Sequence, residues 1–317
     1  MKPKIYKLFL LFLFSLMPFF PNEIFIGSRE GLLLWFQIVL PTLLPFLILS
    51  NLLIYTNAVR LINRVLSPFF CRLFHITKEA CFAVLVGFLC GYPMGAKVTA
   101  DLIQTNRIST REGSYILSFC NNTSPFFIIS FVISQNLQMY TSVIPLLLIL
   151  MITPILASYI FRPFYNDHGN YEHLYRKQNT KKIQASNMNF QFHILDTCIM
   201  NSFETITKIG GYIIIFSIAI TCLGSLPFAN NNWFISLLAT LEITNGIVLL
   251  CNEFGSSVIG IILVLMLTSF GGFCSILQTN SMIHPVRLSI RAYVLQKVIT
   301  AILTGILGYC YLCLQTH

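Results

Sequence analysis

The chain has 317 residues, of which 56% are hydrophobic and only 10% charged, and its mean hydropathy is +0.75. A soluble globular domain carries about 25% charged residues, so this composition excludes one and indicates a polytopic α-helical membrane protein. A β-barrel is excluded as well, because it shows alternating segments of about ten residues and the apolar runs here are continuous. The net charge of +9 belongs to cytoplasmic loops, where Lys and Arg collect, and not to nucleic-acid binding.

The chain opens with "MKPKIYKLFLLFLFSLMPFFPN", which looks like a secretory signal. No small-residue cleavage site follows, so an uncleaved membrane helix over residues 1–30 is expected. Apolar segments follow at 8–26, 31–55, 80–104, 115–134, 141–161, 209–226, 233–251, 256–281 and 298–314. The ten cysteines are scattered, mostly within these segments, and do not suggest a disulfide framework. Cys310 and Cys313 sit at the end of the last helix, away from any helix N-terminus that would stabilise a thiolate. The histidines form no metal-binding pair, so neither a metal nor a cofactor is expected.

Two segments, 80–104 and 233–251, are interrupted by polar, glycine-containing stretches, "CGYPMGAK" and "LEITNG". The basic clusters decide whether they cross. These are Lys2/Lys4/Lys7, Arg60/Arg64/Arg72/Lys78, Arg107/Arg111, Arg162/Arg176/Lys177/Lys181/Lys182 and Arg287/Arg291/Lys297. If both interrupted segments enter and leave on one side, the other segments alternate and every cluster falls in the cytoplasm. Only Arg29 is then left outside. If either segment crosses alone, one or more clusters move outside, against the positive-inside rule. Kinked spans are the alternative. The charge count favours two re-entrant helical hairpins and about seven full crossings, with the N-terminus cytoplasmic and the C-terminus outside.

A shift of 151 residues places Gly95 on Gly246, Ser118-Phe119 on Ser269-Phe270, and Ser124 on Ser275. In each half a punctuated helix ("LPTLLPFLI", "KIGGYIIIF") leads to a hairpin, and a polar patch follows ("SFCNNTSPFF", "SFGGFCSILQ"). This order predicts a first repeat over 31–161, a basic cytoplasmic linker over 162–191 and a second, inverted repeat over 192–317. The fold class expected is an all-α inverted-repeat transporter core, with its site between the repeats near the bilayer midplane.

The breaks supply the candidate site. Gly91, Tyr92, Pro93 and Gly95 form the first turn, and the arm that follows is expected to start near Gly95 or Ala96. Its free N–H groups and Lys97 together suit an anion. Glu242 is expected at the end of the opposite hairpin's first arm, where it suits a coupling Na+ or proton, or Lys97 itself. Thr244, Asn245 and Gly246 stand beside it. Asn121, Asn122, Thr123 and Ser124 precede Pro125, which breaks the helix, and Gly271 and Gly272 are their counterparts. Gln278 is a further candidate. For each charged residue a purely structural pairing is the competing reading. Lys97 and Lys208 are read as the lysines in or near apolar segments. No nucleophile–base pair or phosphate loop accompanies these groups, so an enzyme is not expected.

The stretches "GYPMGAK", "NNTSPFFI", "KIGGYIIIFS", "LEITNG" and "SFGG" resemble the sporulation integral membrane proteins of YlbJ type, over about residues 28–305. These belong to the nucleoside-recognition or Gate group, similar in plan to concentrative nucleoside transporters. The resemblance implies movement of an anionic solute, dipicolinate, across the outer forespore membrane. The competing readings are a nucleoside or other small-solute carrier and a non-transporting membrane scaffold. A homo-oligomer in the lipid bilayer is compatible with either.

Overall fold

The computed structural model describes residues 17–56, 58–165, 192–227 and 231–315. Their regular structure is entirely helical. Helix α1, Pro21–Tyr55, has 35 residues and is therefore about 52 Å long, well beyond the roughly 30 Å of a bilayer core. The expected boundary near residue 30 is not a helix end, because Gly27–Glu30 lie inside α1. Residues 8–16 of the expected 8–26 span fall outside the described residues. Within α1, Trp35–Val39 form a π-helical turn. Pro41 follows it closely and has no N–H to give to that turn. Thr42 Oγ1 instead donates to the Ile38 carbonyl at 2.6 Å.

After α2 (Val59–Phe74), the first half continues with α3 (Cys81–Cys90), α4 (Met94–Gln104), α5 (Thr110–Cys120), α6 (125–137) and α7 (Val143–Tyr165). The second half repeats this order as α8 (Phe192–Gly224), α9 (Asn232–Ala239), α10 (Ile243–Phe254), α11 (Val258–Phe270), α12 (Gly272–Ile283) and α13 (Ile290–Gln315). Only α2 lacks a counterpart. Among the described residues six stretches are long and apolar enough to cross a membrane: α1, α5–α6, α7, α8, α11–α12 and α13. Of the predicted linker 162–191, Arg162–Tyr165 complete α7 and the remainder lies outside the described residues.

The pairs α3–α4 and α9–α10 are helical hairpins whose arms have 10, 11, 8 and 12 residues. At about 12–18 Å each, none reaches across a bilayer core. Gly95 and Gly246, aligned by the repeat, do the same job. A Cβ on Gly95 would meet the Cys120 carbonyl of α5 at 2.8 Å and the Gly87 Cα at 3.1 Å, one on Gly87 would meet that same carbonyl, and one on Gly246 would meet the Ala239 carbonyl. Each of the two aligned glycines lets the second arm lie directly on the first.

Repeat-related helices run antiparallel. Along α1 and α8, Gly27 faces Ile218 and Gly31 faces Ile214, while Asn51 Nδ2 donates to Ser202 Oγ. Along α7 and α13, Gln296 donates to Tyr165 Oη and Gln315 donates to Ser142 Oγ. Antiparallel mates are what an inverted repeat requires. The packing is close: a Cβ on Gly210 of α8 would fall 2.6 Å from Trp35 Nε1, which donates to the Ile206 carbonyl.

Two lysines differ from expectation. Lys208 is exposed and pairs with Glu204 at 2.6 Å. Lys297, grouped above with the loop charges, is 1% exposed inside α13. Its long stem lets it lie in the core, and position along the chain alone did not reveal that.

Gly87→Ala and Gly246→Ala are each expected to destabilise the purified protein by about 1–3 kcal/mol through overpacking. A Cβ on Gly211 meets nothing within 4 Å, so Gly211→Ala should leave the melting temperature within error of the wild type in the same detergent.

Candidate functional site at the two hairpin tips

Both hairpin tips and both helix breaks converge on one cavity of about 620 Å3. The π-helical stretch of α1 closes it from the side, presenting Gln37, Thr42 and Phe46. Of the residues singled out in the sequence, Tyr92, Thr123, Ser124, Glu242, Thr244, Gly271 and Gln278 line this cavity. The rest lie outside its lining.

The first tip is fixed by the break in α5–α6. Gly91 has φ +84°, and a Cβ there would fall 2.7 Å from the Ser124 nitrogen; only glycine combines that backbone with that approach. Pro93 completes the turn, and the Tyr92 N–H donates to the Asn122 carbonyl at 2.6 Å. Asn121 accepts the Ala96 N–H on Oδ1 at 3.2 Å and donates to Thr279 Oγ1 and Tyr293 Oη at 2.9 and 2.8 Å. One side chain thus joins the first hairpin to α12 and α13. Asn122 Oδ1 accepts from Lys297 Nζ at 3.2 Å, and Thr123 Oγ1 donates to the Thr268 carbonyl at 2.6 Å. Ser124 caps α6 by accepting the Phe127 N–H.

The second tip is fixed in the opposite sense. Here the tip supplies carbonyls: Thr240 and Leu241 accept from the Phe273 and Cys274 N–H groups, both at 2.8 Å. These are the N–H groups that the start of α12 would otherwise leave unpaired. Gly272 lies against this same tip, while Gly271 lies against the Tyr92 ring of the other hairpin. Asn245 Nδ2 donates to Ser217 Oγ at 3.1 Å.

The charged residues do not sit as expected. Helix α4 begins at Met94, and its first-turn N–H groups already have partners. Met94 and Gly95 donate to Gly91 O, Ala96 donates to Asn121, and Lys97 donates to Pro93 O. No N–H remains there for an anion. The Lys97 side chain turns down its own helix to Asp101, at 2.6 Å, an i,i+4 pairing the helix makes available. Lys97 therefore neither lines the cavity nor pairs with Glu242. Glu242 is not at the end of the first arm, which stops at Ala239. It is the N-cap of α10, with its carboxylate accepting the Asn245 N–H at 2.8 Å. That places a negative group at the positive end of a helix dipole, where it is stabilised.

Glu242 is also the one charged side chain among the described lining residues. It is 3% exposed. The Tyr92 phenol and Cys274 lie near it. The remaining wall is aromatic and aliphatic, with the neutral polar groups of Gln37, Thr42, Ser130, Gln135 and Ser275 added to those expected. Ser275 was legible as the repeat partner of Ser124. Gln37 and Thr42 were signalled only by the prolines beside them.

Residues 36–161, which run from the π-helical turn of α1 to near the end of α7, match the family described as Gate, nucleoside recognition. The matched stretch covers most of the first repeat. Over 224 residues the chain is also 32% identical to the sporulation integral membrane protein YlbJ of Bacillus subtilis (strain 168), across 66% of this chain and 54% of that protein. The chain thus spans about half the length of this curated relative. No solved structure matches it. The matched stretch contributes the first tip, the first break and most of the π-helical wall. Glu242, Gly271 and Gln278 come from outside it.

Asn121→Ala should be the most damaging change at the tips, since it leaves buried groups on α4, α12 and α13 unpaired at about 1–3 kcal/mol each. Its melting temperature is expected to fall well below that of Asn245→Ala, which loses one partner. The double variant Lys97→Gln/Asp101→Asn should melt close to wild type, because the two members of this pair, 21% and 18% exposed, are neutralised together and neither is left as an unpaired charge.

Proposed function

We propose that this protein is a membrane carrier whose small solute binds in the cavity between the two hairpin tips, with Glu242 holding a coupling proton or cation. The observation that carries this reading is the charge of the site. A single carboxylate, capped but facing the cavity, is set in an otherwise uncharged wall at the meeting point of two inverted hairpins. Inverted repeats with discontinuous helices at their interface are the general plan of secondary transporters. Buried intramembrane carboxylates commonly mark proton or ion pathways.

The same charge argues about the solute. A dicarboxylate such as dipicolinate, implied by the sequence resemblance, would meet Glu242 with no basic side chain opposite. It would enter only with its charge compensated by protons or cations. A flat, uncharged solute with hydrogen-bonding edges suits the cavity better. Tyr92, Phe46, Phe126 and Phe127 offer ring surfaces, and Gln37, Gln135 and Gln278 offer amides. The Gate description supports a nucleoside as the first compound to test. The similarity to a sporulation protein supports a place in the membranes of the developing spore as the setting.

Uptake of labelled uridine and labelled dipicolinate into proteoliposomes tests the reading. Uridine is expected to accumulate, driven by a proton or Na+ gradient. Glu242→Gln, which keeps an N-cap acceptor, should reduce uptake at least about tenfold and abolish the gradient dependence, a loss of roughly 1.4 kcal/mol or more. Dipicolinate uptake that exceeds uridine uptake and is lost in Lys97→Gln would overturn the neutral-solute assignment in favour of the anion. Uptake of neither compound, in protein shown to be folded, would leave the scaffold reading.

A further inference from the structure

Lys297 is one of the largest fully buried side chains of the protein, at 1% exposure, and it is not part of the cavity. It projects from the second turn of α13, in the second repeat, and its Nζ donates to Asn122 Oδ1 at 3.2 Å. Among the described residues no carboxylate forms an ion pair with it. An ammonium carries three donors, and burying one without compensation is costly in a membrane interior.

What lies at its head is Asn122, in the unwound break that follows a half-helix, and Asn122 Nδ2 donates to the Phe119 carbonyl near the end of that helix. Helix α5 stops at Cys120, and residues 121–124 are unwound before Pro125 restarts the helix. The last carbonyls of a helix lack intrahelical partners and bear the negative end of its dipole. An unwound stretch of this kind is a place where a carrier can bind a cation. Cys120, the last residue of α5, is among the groups acting on Lys297.

The second repeat provides a control within the molecule. Its break is a single residue, Gly271, in the left-handed conformation, and the Gly271 N–H closes back on the Leu267 carbonyl at 2.7 Å. That end of α11 is capped by its own chain. The residue that precedes Lys297 by the repeat spacing of 151 is Leu146, buried and uncharged. The lysine accompanies the wide, four-residue break, and a leucine accompanies the short one.

We infer that Lys297 is a tethered cation: its ammonium occupies, as part of the chain, the place an exchangeable monovalent cation would take at the unwound break after α5. Through Asn122, whose backbone carbonyl accepts the Tyr92 N–H, it holds the first hairpin tip docked. Lys297 is thus a positioning residue for the cavity wall, acting from the opposite repeat. The inference concerns the break itself and stands whichever solute the cavity takes.

The test compares Lys297→Ala with wild type by melting temperature in detergent, in choline chloride, NaCl and n-propylammonium chloride at equal ionic strength. n-Propylammonium replaces the atoms that the alanine lacks, charge included. n-Propanol replaces the volume alone. In choline the alanine variant is expected to melt roughly 5–10 °C below wild type. Propylammonium should recover at least half of that loss, while propanol should recover little. Recovery by NaCl supports the inference equally, since a free cation then fills the vacated place. Equal rescue by propanol, no rescue at all, or a Lys297→Met protein as stable as wild type would overturn it. Should the alanine variant not fold, membrane levels of Lys297→Arg and Lys297→Met decide: Arg near wild type with Met depleted supports a required charge, and equal levels refute it. Because these readouts do not involve uptake, their failure and that of the carrier reading are separable.

Discussion

A helix that stops inside a membrane leaves backbone N–H and C=O groups that lipid cannot satisfy. This chain stops four times in the neighbourhood of one cavity: at two hairpin turns and at two breaks in longer helices. The architecture around the cavity can be understood as the set of partners those groups find. The first tip gives its Tyr92 N–H to the Asn122 carbonyl and its Ala96 N–H to the Asn121 side chain. The second tip gives the Thr240 and Leu241 carbonyls to the N–H groups that begin α12. Each hairpin is thus matched to the break in its own repeat, one as donor and the other as acceptor.

The two repeats are then joined by side chains from one to the other. Asn121 reaches Thr279 and Tyr293, Thr123 reaches the Thr268 carbonyl, and Lys297 reaches Asn122. The Tyr92 ring lies on Gly271. These contacts cluster at the first break, where four unwound residues need partners. At the second break a left-handed glycine does most of that work locally. The pseudo-symmetry of the chain is therefore unequal in its chemistry: the first half offers amides and hydroxyls at its break, and the second half offers glycines and the carboxylate of Glu242.

That inequality shapes what the site can bind. An N-terminal half-helix with free N–H groups and a lysine would favour an anion. Here Asn121 and Gly91 take up the N–H groups and Asp101 takes up the lysine. What remains toward the cavity is one carboxylate at a helix N-terminus, among aromatic rings and neutral amides. The stretch of α1 that holds its π-helical turn, with Pro41 and Pro45, supplies the remaining wall.

The sequence by itself determined the class of the protein, the repeat and the positions of the breaks. Hydropathy and chain length leave few alternatives in lipid, and Gly91, Pro93, Pro125 and Gly271 act through local backbone geometry that a neighbour cannot reverse. The shared glycine at 95 and 246 was legible for the same reason, because both hairpins impose the same close approach. The partners of charged side chains were decided only by the tertiary structure. Lys97 was drawn toward the cavity in the sequence reading because a lysine beside a break suggests an anion, yet Asp101 lies one helical turn away and is the nearer acceptor. Lys297 looked like a loop charge, since a linear count of basic residues does not show how far into a helix bundle a long side chain reaches. Glu242 was found but assigned to the wrong helix end, because a boundary shift of three residues reverses the sign of the dipole it meets.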